Sequence, residues 1–315
     1  MVINAQELDN TADGKVSASN ALTLAVRDSI DNRGGTLYGG QGLTLDRAGA
    51  TLANDGGSVL GGQDVSVNVE SVSNQGGVVR ANQDIAIKGT VSGSGEMTAG
   101  RDLTLDVVGD YANDAANKLR ADRNMRVAAT GTVTNTAALG AAGSLTVHGA
   151  KVVNAAGAKL NSAATLVEAD DTITNAGRIE GDTVQTQSAA FSNTGTVIGN
   201  EVKVQGTVVS NSGQAALIAA AQDLKIYASD SVSNVDGATL YSAGNMEIAR
   251  DGTRDAGGLL VNQVNVLTNR SATIEADGDI GIAAHAVNNT RTGIVTEAGT
   301  PVETRGKRCQ PGPQA

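Results

Sequence analysis

The sequence predicts an all-β fold, a parallel β-solenoid (β-helix) of about 14 coils that each take about 20 residues. Two short signatures recur along residues 1–290, one ending in Asn and one alternating apolar and polar residues. Gly, Asn and Asp fill the segments between the signatures, and these residues favour turns. Helical periodicity of 3.6 residues does not persist over any long window, so we expect strands joined by turns.

The first signature is an apolar residue, a small polar residue and Asn, as in Val72-Ser73-Asn74. Among its fourteen copies only Gly93 replaces Asn, and successive copies are 18–23 residues apart, except for one step of 35. Asn tolerates the left-handed conformation of a sharp corner, and its amide can donate to one neighbouring coil while accepting from the other. We therefore expect a stacked ladder of structural asparagines. Its members are Asn10, Asn32, Asn54, Asn74, Asn113, Asn135, Asn154, Asn175, Asn193, Asn211, Asn234, Asn269 and Asn289.

The second signature alternates apolar, polar and apolar residues, as in Leu43-Thr44-Leu45 and Ile85-Ala86-Ile87. Such alternation is typical of a strand with one buried face. A third apolar position, for example Leu37 or Val79, lies between the two signatures. Three short strands per repeat predict a triangular coil, and stacking such coils at roughly 4.8 Å gives a rod on the order of 65 Å long. Its core consists of aliphatic rows.

Composition narrows the classes of function. The chain has 40 Gly, 4 Tyr, 1 Phe and no Trp, so its core is thin and aliphatic. A net charge of -10 argues against nucleic acid or an anionic membrane as the main partner. No apolar run approaches the roughly 18 residues that a membrane span needs. A single cysteine, Cys309, excludes an intrachain disulfide framework, and the basic run at 305–308 is interpreted as a solvated segment.

The long step marks a loop insertion near 250–266 in the predicted shaft of residues 1–290. Its charged, glycine-rich part is predicted to leave the rod until Leu259-Leu260-Val261 returns, and a solvated excursion is favoured over a binding loop. The pattern ends after Asn289, and all three prolines follow it, so residues 291–315 are predicted to be an irregular tail. The first residues lack the features of a signal peptide, which predicts either an intracellular protein or an internal piece of a larger one.

No catalytic, cofactor-binding or metal site is predicted. His148 and His285 lie 137 residues apart and cannot share a site. Asp recurs before the second strand, but Asn takes the same place at Asn124 and Asn245, so a turn-forming role is favoured over weak Ca²⁺ binding. The recurrent aspartates are Asp64, Asp84, Asp102, Asp223 and Asp279. Neither a Walker A loop nor a dinucleotide fingerprint occurs.

The repeat Asn32-Arg33-Gly34-Gly35-Thr36-Leu37-Tyr38-Gly39-Gly40-Gln41-Gly42-Leu43-Thr44-Leu45 resembles the haemagglutinin repeats of filamentous haemagglutinin and of contact-dependent growth-inhibition exoproteins. The resemblance covers nearly all of residues 1–290. It implies a right-handed parallel β-helix in a very long exoprotein of Gram-negative bacteria. Such proteins leave through an outer-membrane transporter of the two-partner-secretion type and act at the cell surface. No proline precedes Pro301, so the family's export domain with its Asn-Pro motifs is missing, and the chain looks like a fragment of the shaft.

The leading hypothesis is a non-enzymatic, structural and adhesive shaft of a secreted or surface-displayed haemagglutinin-like exoprotein. Its partners would be the two-partner-secretion transporter and the surface of a host cell or neighbouring bacterium, without nucleic acid, cofactor or membrane span. A stalk for a growth-inhibition toxin is the first alternative, which the sequence does not separate from an adhesin. A β-helical polysaccharide lyase or glycosidase is less favoured, because such enzymes need paired carboxylates or an acid beside a basic residue, and the chain has only 5 aromatic residues for sugar contacts.

Overall fold

The computed structural model describes residues 1–292, which form strands and turns and include no helix. The strands pair in parallel and wind into a β-solenoid of about 14 turns, about 21 residues apart, which confirms the predicted fold class. Since the described part of the chain lacks helices, it has no helix that could cross a membrane.

The described residues form 28 β-strands. In chain order they are β1 (Val2–Asp9), β2 (Lys15–Ala18), β3 (Ala21–Asp31), β4 (Thr36–Gly39), β5 (Gly42–Ala53), β6 (Ser58–Gly61), β7 (Asp64–Ser73), β8 (Val78–Ala81), β9 (Ile85–Ser92), β10 (Glu96–Ala99), β11 (Asp102–Val107), β12 (Tyr111–Asn113), β13 (Lys118–Ala121), β14 (Asn124–Ala129), β15 (Thr132–Asn135), β16 (Ala138–Gly140), β17 (Ser144–Asn154), β18 (Lys159–Asn161), β19 (Ala164–Asn175), β20 (Arg178–Asn193), β21 (Thr196–Ser212), β22 (Leu217–Val235), β23 (Thr239–Ser242), β24 (Asn245–Ala249), β25 (Val264–Arg270), β26 (Thr273–Ala276), β27 (Ile280–Ile282) and β28 (Ala284–Thr290).

The coils stack in register, so equivalent residues of successive repeats form rows through the interior. The third apolar position pairs from Leu37 to Val59 and from Val59 to Val79. All three side chains are at most 1% exposed, which is the burial that the sequence pattern predicts for this row. The rows of the other two signatures are buried in the same way, as Leu45 and Val72 illustrate.

Two threonines interrupt the apolar rows of the second signature. Thr186 lies in the row that contains Leu45, and Thr165 lies in the adjacent row that contains Leu43. Thr165 and Thr186 point inward and are each 2% exposed. The Thr165 hydroxyl donates to the Glu180 carbonyl oxygen at 2.8 Å and lies 2.9 Å from the Ser162 hydroxyl. The Thr186 hydroxyl has no hydrogen-bond partner. The interior is therefore mainly aliphatic, although Phe191 and Tyr111 are also buried.

The strands are longer than the three short segments per repeat that the sequence predicts. Between Arg178 and Val235 single strands cover most of a coil, as β20, β21 and β22 show, and shorter strands return after Val235. Register shifts between β21 and β22, for example near Gly206, mark places where the chain bends from one face to the next. Parallel pairing continues on both sides of each register shift.

A column of small residues forms one of these bends, and the sequence patterns above do not identify it. At Gly61 an added Cβ atom would lie 2.2 Å from the carbonyl oxygen of Asp64, so a larger side chain has no room. Each column member lies two residues after the third apolar position. In the first coils the members are Ala18, Gly39, Gly61, Ala81, Ala99 and Ala121.

The solenoid continues on both sides of the long step. Strand β22 pairs directly with β25, placing Val232 beside Leu267 and Asn234 beside Asn269. The chain leaves the stack after Ala249 and re-enters it at Val264, which is fully buried. Leu259 is 69% exposed, so the expected return at Leu259-Leu260-Val261 is wrong. These residues instead form part of the loop, where Leu260 bridges Arg254 in antiparallel fashion.

Candidate functional site

The asparagine ladder is the most regular polar feature of the described chain. Asn32 donates from Nδ2 to Oδ1 of Asn54 at 2.7 Å and accepts at Oδ1 from Asn10 at the same distance. Inner members such as Asn154 are completely buried. Equivalent bonds join neighbours from Asn10 to Asn74 and again from Asn113 to Asn289. Each buried amide is therefore satisfied by its neighbours, as a stacked row allows.

The ladder has a direction. Every Nδ2 donor points to the following coil, and most also donate to a backbone oxygen there. Asn154, for example, donates to the Arg178 carbonyl oxygen at 3.2 Å as well as to Oδ1 of Asn175 at 2.7 Å. The side chains therefore tie each coil both to the next asparagine and to the strand that follows it.

The corner geometry differs from the expectation in one respect. None of the ladder asparagines has a positive φ; at four corners the left-handed residue is the glycine two positions later, such as Gly34 with φ 68° and Gly76 with φ 63°, and at three others it is Ala12, Asp236 or Ser271. The expectation that Asn itself adopts this conformation is wrong. Asparagine is used for its amide, and glycine provides the turn.

Gly93 interrupts the ladder for a backbone reason. Its φ is 80°, and an added Cβ atom would lie 2.6 Å from the backbone nitrogen of Gln75. Asn74 therefore donates only to the Glu96 carbonyl oxygen, at 3.5 Å. An L-residue with a side chain would be strained at this corner.

The recurrent aspartates cap backbone groups of the next coil. Asp64 Oδ1 accepts from the Asp84 N–H at 3.1 Å, and Asp84 Oδ1 accepts from the Asp102 N–H at 3.2 Å. Asn124 Oδ1 accepts from Ser144 N–H in the same manner. The asparagine that substitutes for Asp thus makes the same bond, in keeping with a turn-forming role.

Arginines neutralise part of this carboxylate column. The Arg101 guanidinium bonds Asp84 at 2.5 Å and holds the pKa of that carboxyl below its ordinary value. Arg123 does the same for the pKa of Asp102, also at 2.5 Å. Among residues 1–292 no group of three or more His, Cys, Asp and Glu side chains is placed to hold a metal ion.

The remaining aspartates of the set lie farther along the same column. Asn245 Nδ2 donates to Asp223 Oδ1 at 3.4 Å, and its Oδ1 accepts from the Asp279 N–H at 3.1 Å. The structure therefore places these carboxylates along one row, which Asn124, Ser144, Ala164 and Thr183 interrupt. It does not gather them into a pocket.

The two histidines occupy separate coils. His148 Nε2 lies 3.5 Å from Asp170 Oδ1, beside a shallow groove of about 360 Å³ that Val108 and Ala128 also line. His285 is exposed in strand β28. Cys309 and the basic run at 305–308 lie outside the described residues, as does most of the predicted tail.

The insertion, residues 250–263, is an ordered loop that is fastened to the rod. Tyr227 donates to Glu247 Oε2 at 2.5 Å, and Arg254 donates to Glu247 Oε1 at 2.5 Å. Burial and this hydrogen bond raise the pKa of Tyr227. Leu260 packs against Tyr227 and Ala249 under the loop. The loop therefore projects from the surface with its base fixed by a polar and an apolar contact.

The outward rows give each side of the rod its own chemistry. One side, built on β8, β10 and β13, carries Arg80, Lys118 and Arg120 with one carboxylate, Glu96. The side built on the second signature carries the aspartate column described above. The third side is rich in hydroxyls, as in Thr132-Val133-Thr134 of β15. Such regular, nearly flat arrays can support multivalent surface contacts.

Comparisons with known proteins identify the repeat. The family model described as haemagglutinin repeat matches residues 3–56 and 226–300. The tRNA nuclease CdiA-2 of Burkholderia pseudomallei is 30% identical over 305 residues, covering 91% of this chain and 9% of that relative. The chain therefore spans 9% of the length of this curated relative. No solved structure matches the chain.

Proposed function

Because the chain belongs to the haemagglutinin-repeat family, we propose that it is a non-enzymatic, adhesive shaft segment of a large exoprotein at a bacterial cell surface. The observation that carries this proposal is the unbroken stack of parallel coils from β1 to β28. Each added coil lengthens the rod by about 4.8 Å and leaves its width unchanged. Such a rod can hold a distal domain away from the cell.

We propose an export route and partners that suit the same architecture. Each coil contacts only its neighbours, so folding can begin at any coil and propagate along the chain. This property suits passage through an outer-membrane transporter of the two-partner-secretion type. The surface that the shaft meets would be that of a host cell or a neighbouring bacterium.

Adhesion is proposed to use the flat outward rows and the fastened loop. A direct experiment attaches the full chain to beads and measures their retention on host and bacterial cells. A scrambled chain of equal composition is the control for nonspecific charge effects. Retention above this control supports adhesion, whereas equal retention would reduce the proposal to a spacer.

A loop variant locates the binding surface. Residues 250–265 are replaced by the three-residue connection Ala228–Asp230, because Tyr227 and Ser231, which flank that connection in the preceding coil, pair with Ala249 and Val266. Loss of retention would assign the contact to the loop, and unchanged retention would assign it to the repeated faces. Far-UV circular dichroism checks that the β-structure is kept.

A toxin-delivery stalk is the second candidate function. It is favoured by the similarity to a relative whose name describes a tRNA nuclease. The chain matches only a small part of that relative, so a nuclease would lie elsewhere in the longer protein. A transporter gene upstream and toxin and immunity genes downstream would support this candidate, and co-culture competition would test it.

An enzyme of the polysaccharide-cleaving type is the least favoured candidate. The carboxylates Asp84 and Asp102 are engaged by arginines and backbone N–H groups, and Phe191 and Tyr111 are buried. A screen of the full chain against pectin, glycosaminoglycans and other polysaccharides tests this interpretation. Clear turnover would contradict the proposal of a non-enzymatic shaft.

A further inference from the structure

We propose that the coil formed by residues 102–121 is a weak link that divides the described solenoid into two folded blocks. This link coil contains β11, β12 and β13, and it lies between residues 1–99 and residues 124–290. It can open while both blocks stay folded, because each block has more than the roughly three repeats that a stable solenoid needs.

One face of the link coil is not paired with the preceding coil. Strand β9 pairs with β11 only as far as Gly89, and β12 pairs only with β15 of the following coil. No backbone hydrogen bond joins residues 90–93 to residues 110–113 in the described chain. At the equivalent place one coil earlier, the Asn74 N–H donates to the Ser92 carbonyl oxygen at 2.9 Å. The corresponding strands of all other neighbouring coils among residues 1–292 are paired.

A second face of the link coil is barely paired with the following coil. The six-stranded sheet that contains β2, β4, β6, β8 and β10 ends at β13. Beyond β13 a single bridge, from Ala121 to Ala141, continues the pairing. Leu119 of β13 is only partly buried, whereas Met97 and Leu139 of the same row are 1% and 2% exposed. Neither neighbouring coil is therefore fully paired with the link coil on every face.

The length of the link coil explains both gaps. Ile87 pairs with Leu105, and Met97 pairs with Leu119, so these residues are fixed points of the two stacked coils. The step between the fixed points is 10 residues in the preceding coil, 14 in the link coil and 12 in the following coil, residues 127–139. Additional residues bend a strand and interrupt its pairing with a shorter neighbour.

The side chains compensate for the missing pairing only in part. Gly93 provides no amide, so the side chain of Asn113 is bonded only to the following coil. Ser94 Oγ donates to Asp114 Oδ2 at 3.0 Å and joins the two corners. Tyr111 lies in the row that valines occupy in the neighbouring coils, and its hydroxyl is buried without a hydrogen-bond partner. Burying such a group costs free energy that the valines do not cost.

These features weaken the interfaces on both sides of one coil. The stability of a solenoid is close to a sum of the stabilities of single coils and of the interfaces between neighbours. The link coil has an incomplete interface before it and another after it. Opening it therefore needs less free energy than opening a coil inside either block, and its amides exchange with solvent sooner.

Hydrogen exchange of the full chain, followed by mass spectrometry at increasing urea concentrations, tests the proposal. After correction for intrinsic rates, peptides from residues 102–121 are expected to exchange about tenfold faster or more than peptides from residues 64–81 and 164–193. As urea rises, they are expected to lose protection while both blocks remain protected. Equal protection of the link coil and the two blocks would overturn the proposal.

A shortened variant tests the cause of the weakness. Residues 106–118 are replaced by a second copy of residues 68–78, which span the equivalent part of a coil that is paired on every face. The step between the fixed points then becomes 12 residues, as between Val67 and Val79. Peptides from the shortened coil are expected to exchange as slowly as those from the two blocks.

The matched control places the same copy in place of residues 46–58, a segment of equal length in a fully paired coil. This control is expected to keep the fast exchange of residues 102–121. Circular dichroism shows whether each variant is folded, and the wild-type comparison decides alone if the shortened variant does not fold. A folded shortened variant that still exchanges as fast as the wild type in this coil would contradict the proposal. So would a folded control in which the fast exchange disappears.

Discussion

Asn154 lies inside the longer run of the ladder, where it bonds asparagines on both sides. Replacing it by leucine leaves Nδ2 of Asn135 without one acceptor and Oδ1 of Asn175 without its donor. Each buried polar group that loses its partner costs about 1–3 kcal/mol. We expect Asn154→Leu to lower the free energy of local opening by about 2–5 kcal/mol, measured by hydrogen exchange of amides in β17 and β19.

Asn74 provides the matched comparison, because the ladder stops there. It accepts from Asn54, but its own donor reaches only a backbone oxygen at 3.5 Å. Asn74→Leu should therefore cost less than Asn154→Leu by about 1 kcal/mol or more. Equal losses at the two positions would show that the bonds between asparagines contribute little.

The unpartnered hydroxyl of Thr186 permits a stabilising change. Valine has nearly the same shape and removes a buried hydroxyl that makes no hydrogen bond. Thr186→Val is expected to raise the free energy of unfolding by about 1 kcal/mol. Denaturation with urea measures this change. Thr165→Val should act in the opposite direction, because the Thr165 hydroxyl donates to Glu180.

At the residue scale the sequence predicts the type and spacing of the ladder residues but not their backbone conformation. A recurrent Asn is compatible with either an amide ladder or a left-handed corner. Only coordinates place the positive φ on Gly34 and Gly76. The sequence pattern does not predict the inward-facing threonines, because Thr165 and Thr186 stand at positions where the alternating signature otherwise has apolar residues.

At the scale of elements, the strand count could not be read from the pattern. Alternation marks which residues face inward, and it continues across a bend when the corner residue is small. The column that includes Gly39 and Gly61 does carry a sequence signal, a small residue two positions after each third apolar residue. In the insertion an apolar run predicts a strand that does not form. Leu259 and Leu260 have the composition of a strand but belong to a loop.

The loop should open independently of the rod when its polar fastening is removed. Arg254 contacts Glu247 and the Gly258 carbonyl oxygen, so it joins the loop both to β24 and to itself. Arg254→Ala is expected to abolish hydrogen-exchange protection at Asp255 and Val261, whose amides pair across the loop. Protection in β22 and β25 should stay unchanged, because their pairing does not involve the loop.

Arg250→Ala is the matched control for this prediction. Its side chain forms no hydrogen bond or ion pair with other described residues, so loop protection should persist in that variant. Simultaneous loss of protection in β25 after Arg254→Ala would mean that the loop is part of the solenoid's cooperative unit. The account would then be wrong in treating it as an attachment.

At the scale of the molecule, one whole coil should be dispensable. Deleting residues 155–175 joins Asn154 to Ala176 and brings β17 into contact with β20 in the same register. We expect the shortened chain to keep its β-structure and a protected ladder. Deleting residues 155–164 instead shifts the register of the following rows. In that variant the exchange protection of the neighbouring coils should be lost, and the β-sheet signal in circular dichroism should decrease.

The central claim is that distance along the rod grows with the number of coils and not with the number of residues. It is tested by double electron–electron resonance between spin labels at Ala112 and, in three separate variants, at Ser210, Ser233 or Thr268. Cys309 is replaced by serine in each variant. In-register stacking predicts distances of about 24, 29 and 34 Å for these pairs. The last step spans the insertion and should still add only about 5 Å. A much larger increase across the insertion, or distances that follow residue number, would contradict the account.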